Sequence, residues 1–146
     1  LTMAILPVLL VEASDETYAL PLRSVQETLR VSASQIHSIE GQEVLCLPDR
    51  SIPLLRLSEL LDAPDAHRSD LYRKAVVIAI GDVSAALLVD KLIGQESTVI
   101  KAMGNFLKDS PTIAGATIGG DGRVRLVLDP AALIDEAISS EAKRAS

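Results

Sequence analysis

Short runs of β-branched residues and leucine, separated by turn residues, recur along the whole chain. Side chains of this kind pack well on a pleated surface, so the runs predict strands. The predicted strands are residues 6–13, 17–22, 25–31, 43–48, 51–57, 75–80, 84–89, 95–102, 112–118 and 123–128.

Three stretches predict short helical elements between these strands. Ser58 is placed to cap a helix over residues 59–62, which Pro64 ends. Ile36 and Ile39 lie at helical spacing in the polar stretch 32–41, which predicts one short turn. Asp129 as N-cap and Pro130 as first helical residue predict a C-terminal helix with an apolar face.

The order of these elements favours small β-barrels. Strands follow one another closely, and no alternation of strand and long helix is present, which argues against a doubly wound sheet. Residues 65–74 are the most polar stretch and divide the chain almost in half. We therefore expect an all-β fold with about five strands in each half.

Charge and composition narrow the function classes. The 146 residues include 14 Lys and Arg against 20 Asp and Glu, a net charge of −6, and the basic residues do not cluster. This balance and the presence of only three aromatic residues argue against nucleic-acid binding. No apolar run approaches the ~20 residues of a membrane-spanning helix, so we expect no direct membrane insertion.

No pattern in the sequence predicts catalysis, a metal site or a cofactor. Glycines 115, 119, 120 and 122 lie between two strands and not before a helix, which predicts a hairpin and not a phosphate loop. His37 and His67 have no neighbouring ligands in sequence. Cys46, the single cysteine, has no base nearby in sequence and is expected to be a packed thiol.

Several segments, in their order and spacing, resemble the CheW-like domain, in the form found at the C terminus of the chemotaxis histidine kinase CheA. The resemblance runs from about residue 6 to about residue 138. This is the length of a single domain, which typically has ~100–150 residues. Residues 47–51 depart from the free-standing adaptor form, because the Asn-x-Arg-Gly element of adaptors is replaced by Leu-Pro-Asp-Arg-Ser. The segments that carry the resemblance are 18–22, 25–28, 43–47, 52–61, 89–96, 99–104, 113–118, 120–124 and 126–129.

The resemblance implies two intertwined five-stranded SH3-like barrels with short helices and a C-terminal helix. Residues 1–10 would be a strand leading in from a preceding kinase domain, and residues 11–140 would be the CheW-like domain. We expect its two β subdomains to divide near residues 65–74, and residues 141–146 to form a tail.

The resemblance also implies a non-catalytic regulatory and scaffolding role in a chemotaxis-type sensor histidine kinase. The implied partners are a CheW-like adaptor, the cytoplasmic tip of a chemoreceptor and the rest of the kinase. The implied location is the cytoplasm, at receptor arrays on the inner membrane. The alternatives are a free-standing CheW-type adaptor and a small β-barrel domain that binds a ligand or catalyses a reaction.

Two segments are candidate partner-binding surfaces. If residues 25–31 form a strand, alternate side chains share a face, and one face carries Val25, Glu27, Leu29 and Val31. The resemblance supports a partner contact in this segment. The alternative is that the aliphatic members of this set fill a barrel core. The second candidate segment contains Ile36 and Ile39. The residues expected to shape structural turns are Gly94, Gly104, Gly115, Gly120, Asp121 and Gly122.

Overall fold

The computed structural model describes residues 4–102, 112–119 and 121–145, with side chains described for 5–99, 112–119 and 121–139. Each predicted strand is present, and an additional one, β4, occurs where a helical turn was expected. The strands are β1 Ala4–Ala13, β2 Glu16–Pro21, β3 Val25–Ser32, β4 Ile36–Ile39, β5 Gln42–Cys46, β6 Ser51–Arg56, β7 Tyr72–Ile80, β8 Val83–Val89, β9 Lys91–Ala102, β10 Ile113–Ile118 and β11 Val124–Leu128. The helices are α1 Leu57–Leu60 and α2 Pro130–Ala145, with 3-10 turns at Leu22–Ser24 and Ala33–Gln35.

The strands form two sheets, which confirms the all-β prediction. One is a closed barrel in the order β1-β2-β11-β10-β9, in which β2 and β11 pair in parallel. The other has six strands in the order β3-β7-β8-β6-β5-β4, in which β6 and β8 pair in parallel. The sixth strand is the unpredicted β4.

The two sheets do not divide near residues 65–74. The six-stranded sheet takes strands from both sides of that segment, because β3 pairs with β7 and β6 pairs with β8. The barrel takes β1 and β2 from the first part of the chain and β9–β11 from the last. Strand β1 pairs with both β2 and β9, so the expected leading strand is an integral part of the barrel.

The β7–β8 hairpin lies between two hydrophobic cores and contributes one face to each. Val76 and Ile78 of β7 pack in the barrel core, whereas Ala75 and Val77 pack in the second core. All four residues are fully buried. Burial of both faces explains why β7 and β8 are nearly continuous apolar runs and do not alternate with polar residues.

Helix α2 covers the barrel core and begins where the sequence predicts. The Asp129 carboxylate accepts hydrogen bonds from the backbone N–H groups of Ala131 (3.0 Å) and Ala132 (3.4 Å), as an N-cap does. Leu133 is fully buried in the barrel core. The helix continues to Ala145, so residues 141–145 extend it where a tail was expected.

Helix α1 begins earlier than predicted. Its N-cap is Arg56, the last residue of β6, and Leu57 is the first helical residue and is fully buried. Ser58 therefore lies inside the helix and does not cap it. Its hydroxyl accepts a hydrogen bond from the Ser14 hydroxyl (3.0 Å). Neither α1 nor the described length of α2 is long and apolar enough to cross a bilayer.

We predict that Glu40→Asn stabilises the protein. Glu40 and Gly41 join β4 to β5 with φ values of +51° and +84°, as in the hairpin turns that favour Asn-Gly. A glutamate with positive φ costs about 1 kcal/mol, because its Cβ crowds the backbone. We expect Glu40→Asn to raise the free energy of unfolding by about 0.5–1 kcal/mol in urea titrations.

Glu40→Ala is the matched control, because alanine keeps the Cβ and lacks the local hydrogen bonding that makes positive φ tolerable for asparagine. Its unfolding midpoint should not exceed that of the wild type. An Asn variant no more stable than the Ala variant would show that the turn is not strained.

Candidate interaction surfaces

The predicted contact residues of β3 are split between the two cores. Strand β3 has a bulge at Gln26, because Val25 pairs with Ile78 while Glu27 pairs with Val77. An extra residue reverses the side-chain alternation, so Val25 does not share a face with Leu29. Val25 packs against the barrel core.

Leu29 and Val31 belong to the second core, on the other face of the sheet. Val31 has 0% exposure, and Leu29 is partly buried against the same cluster. These aliphatic residues therefore fill cores, which was the alternative interpretation of the segment. Val31 is not available for contact with a partner in this structure.

Glu27 is the exposed member of the β3 set. Its carboxylate lies 3.3 Å from the Arg50 guanidinium, which also donates to the Gln26 side chain at 2.9 Å. Arg50 thus holds the bulge from the β5–β6 turn. This turn is the place where the sequence departs from the adaptor form.

Residues 32–41 contain one short turn, as expected, but Ile36 and Ile39 lie after it in strand β4 and not in the turn. Ser32 caps the 3-10 turn at Ala33–Gln35, which ends before Ile36 and lets the chain continue as a strand. Three residues apart on a strand, the two isoleucines face opposite sides. Ile36 packs against the second core, and Ile39 is 48% exposed on a strand that pairs only with β5 among the described strands.

The predicted turn glycines occupy several kinds of position. Gly94 lies within β9 beside a bulge at Ile93, with φ +150°. Gly115 is buried in β10 next to a register shift. Gly122 has φ +81° in the β10–β11 turn, where the Asp121 carboxylate accepts from the Arg123 N–H (3.0 Å). Gly104 and Gly120 lie outside the described residues.

Exposed apolar side chains also occur as cross-strand pairs at strand ends. Ile118 and Val124 lie opposite each other across β10 and β11, with 60% and 63% exposure. The other pairs are Ile5 with Val99 across β1 and β9, and Ile80 with Val83 across β7 and β8. Sequence reasoning missed all three, although pairing the residues that flank a predicted hairpin turn would have found Ile118 and Val124.

A buried ion network joins the two sheets. Its members are Glu43, Arg56, Asp65, Arg73 and Asp90. Arg56 donates to Glu43 (2.7 and 3.0 Å) and to Asp65 (2.6 Å). Arg73 donates to Asp65 (2.9 Å) and to Asp90 (3.2 Å). Residues 65–74 are thus anchored to the sheet by Asp65 and Arg73.

Asp90 connects the buried ion network to the barrel. Its carboxylate accepts from the Ser14 N–H (3.0 Å), and its own N–H donates to the Glu12 carbonyl (2.8 Å). A charged residue inside an apolar run is the sequence feature that could have predicted the buried ion network. Arg56 stands between Leu55 and Leu57, and a charged residue in such a run is seldom buried without a partner.

The arginines of the buried ion network favour the charged forms of Asp65 and Glu43 by lowering the pKa of each carboxyl. Burial raises the pKa of Asp65, but hydrogen bonds from Arg73 and Arg56 outweigh it and leave that pKa below its ordinary value. The hydrogen bond from Arg56 likewise lowers the pKa of Glu43. In the unfolded chain these groups take up protons at higher pH than in the folded protein, so acid favours unfolding.

Chemically, the described residues offer binding surfaces more than reactive groups. They contain no group of three or more potential metal-ligating side chains. The His67 ring lies 3.1 Å from the Asp70 carboxylate, and both are about half exposed. Cys46 is partly buried in β5 with a free thiol. The exposed apolar pairs and the edge of β4 are the features suited to docking another protein.

Comparison with known proteins identifies relatives along nearly the whole chain. The CheW-like domain family matches residues 7–137. The sensor histidine kinase CheAY of Helicobacter pylori is 45% identical over 141 residues, which are 95% of this chain and 17% of that protein. The chemotaxis protein CheA of Bacillus subtilis is 35% identical over 134 residues, 92% of this chain and 20% of that protein.

The fold is also found in a solved structure. The scaffolding protein TtCheW from Thermoanaerobacter tengcongensis superposes with a TM-score of 0.66 at 17% identity, covering 86% of this chain and 90% of that one. The chain spans about a fifth of the length of the two kinases it matches.

We predict that Asp65→Asn destabilises the protein and flattens its acid response. Removing one partner of a buried ion pair costs about 3 kcal/mol, here because Arg56 and Arg73 would lose their shared carboxylate. The stabilisation from a lowered carboxylate pKa is complete above about pH 4 and is lost as the pH falls below it. Urea unfolding from pH 7 to pH 2 should show a smaller acid loss in the variant.

Asp70→Asn is the control, because it removes an exposed carboxylate from the same loop. It should change the free energy of unfolding by no more than about 0.5 kcal/mol. Equal stability of the Asp65 and Asp70 variants would contradict the anchoring role of the buried ion network.

Proposed function

The chain belongs to the CheW-like domain family, and we propose that it is the regulatory and scaffolding domain of a chemotaxis-type sensor histidine kinase. The observation that carries this proposal is the alignment of more than nine-tenths of the chain with kinases of that type. These relatives are about five times longer, so the proposal assigns to this chain one part of such a protein and not its catalytic reaction.

The proposed partners are a CheW-like adaptor, the cytoplasmic tip of a chemoreceptor and the remaining domains of the kinase. Through them the domain would be held in the cytoplasm at receptor arrays on the inner membrane. Exposed apolar pairs at the strand ends support docking of this kind, because protein interfaces combine an apolar centre with a polar rim. The described surface also carries exposed charged side chains, such as Glu27, Glu96 and Lys91.

A free-standing CheW-type adaptor is the second candidate. It is favoured by the superposition on a scaffolding protein of which the chain covers 90%. The higher identity to the kinases, 45% against 17%, favours the kinase domain. A small β-barrel enzyme or ligand-binding domain is the third, and no described feature favours it over the family's scaffolding role.

We predict that the purified chain neither transfers phosphate nor hydrolyses ATP. The reason is that the described side chains offer no activated nucleophile and no glycine loop leading into a helix. The measurement is incubation with labelled ATP, followed by gel autoradiography and quantification of ADP. Turnover that co-purifies with the protein through successive columns would contradict this part of the proposal.

We predict that a CheW-like adaptor binds the chain and that Ile39→Glu weakens the complex about tenfold or more. Burying one aliphatic side chain contributes roughly 1.5–3 kcal/mol, and a charge at that position would also be desolvated. Isothermal titration calorimetry measures the affinity. Ser38→Glu, on the opposite face of the same strand, is the matched control and should bind like the wild type.

Circular dichroism and urea unfolding must accompany the titration. Val31→Glu should lose structure, because it places a charge in the second core, whereas Ile39→Glu should stay folded. A folded Ile39→Glu variant with full affinity would exclude β4 as the contact. Absence of wild-type binding at high micromolar concentration would refute the proposed function itself.

A further inference from the structure

Two cationic side chains face each other across strands β3 and β7. Arg30 and Lys74 are direct partners in the antiparallel register, and both are exposed. Direct cross-strand partners lie about 5 Å apart at Cβ, and like charges in that position destabilise a sheet. An anion placed between the two side chains would remove the repulsion.

The neighbouring carboxylates are already paired with other groups. Asp90 contacts Arg73, and Asp70 contacts His67. Among the described side chains, neither Arg30 nor Lys74 lies within 4.0 Å of a carboxylate oxygen. The two cations thus remain available to a ligand.

Tyr72 holds the Arg30 guanidinium in place. The guanidinium carbon lies 4.1 Å from the centroid of the Tyr72 ring. Stacking on the ring uses the face of the guanidinium and leaves its N–H groups free at the edge, where a planar carboxylate can accept two hydrogen bonds. Arg30 is therefore preorganised as a two-donor site, with the ammonium of Lys74 beside it.

The two cations line a shallow pocket whose charge favours one negative group. The pocket has a volume of about 230 Å³ and is lined by Arg30, His67, Asp70, Tyr72, Arg73, Lys74 and Asp90. Arg73 is already paired with Asp65 and Asp90, and Asp70 lies against His67, so Arg30 and Lys74 are the lining cations left without a carboxylate partner among the described side chains. A side-chain carboxylate fits these two cations, because it is planar, accepts two hydrogen bonds from one guanidinium and carries a charge opposite to both. The two cations are opposite in sign to the net charge of the chain, −6.

We propose that this pocket receives an aspartate or glutamate side chain of the CheW-like adaptor. The inference rests on the proposed function and adds to it a polar contact of defined chemistry, separate from the apolar contact at Ile39. The carboxylate would accept a two-point hydrogen bond from Arg30 and an ion pair from Lys74.

The test is calorimetric titration of the whole chain with the adaptor at low and high salt. Arg30→Gln and Lys74→Gln should each weaken binding about tenfold at low salt, the usual size of a lost charged hydrogen bond, and should reduce the salt dependence. Arg30→Lys keeps the charge but loses the two-point geometry, so its affinity should fall between those of the wild type and Arg30→Gln. Arg23→Gln, an exposed arginine outside the pocket, is the charge-matched control.

Three outcomes separate this inference from the proposed function. Weakening by both pocket variants but not by Arg23→Gln supports the carboxylate site. Binding of wild type and all variants with equal affinity overturns the site and leaves the proposed function intact. Failure of the wild type to bind the adaptor overturns the proposed function, and the inference falls with it.

Discussion

One buried carboxylate, Asp65, is shared by two arginines of the six-stranded sheet, Arg56 and Arg73. Removing such a group from water costs several kcal/mol, and the cost is offset only when each charge has a well-placed partner. Arg56 is fixed by β6, Arg73 by β7, and Asp90 by its contacts with the β1–β2 hairpin. Asp90 therefore connects the buried ion network to the barrel, whereas the contacts of Asp65 lie within the six-stranded sheet. No described buried side-chain polar atom lacks a hydrogen-bond partner.

Packing on both sides of the six-stranded sheet also limits which apolar side chains stay exposed. One face of the β7–β8 hairpin packs in the barrel core and the other in the second core. Because of the bulge at Gln26, Val25 packs against the barrel core and Leu29 against the second core. The exposed large apolar side chains of the described residues lie elsewhere: on the edge strand β4, in the cross-strand pairs at strand ends, at Leu71 and Tyr72 at the start of β7, at the β9 bulge (Ile93) and on α2 (Ile138).

The sequence predicts the strands well because β-branched runs and turn residues are local signals. It predicts the cap at Asp129 for the same reason. It does not predict which strands meet: the parallel pairs β2–β11 and β6–β8 join segments distant in sequence. The β3 residues were expected on one face, but the one-residue bulge at Gln26 separates Val25 from Leu29, and burial in the second core, which strand periodicity does not reveal, takes Val31 out of reach of a partner. The spacing of Ile36 and Ile39 fits either one face of a helix or opposite faces of a strand. Ser32 caps a 3-10 turn that ends before Ile36, and the chain continues as a strand.

The chain order of the barrel has a consequence for biosynthesis. Residues 25–89 contain every strand of the six-stranded sheet, so that sheet can complete its pairing while the chain is still being made. Strands β1 and β2 are made before β9–β11 and cannot close the barrel without them, although β7 and β8 can already cover part of their core face. Closing so long a loop adds only a logarithmic entropy cost, but contacts between distant segments form slowly. A nascent chain stalled before β11 would thus carry a fully paired six-stranded sheet beside an open barrel.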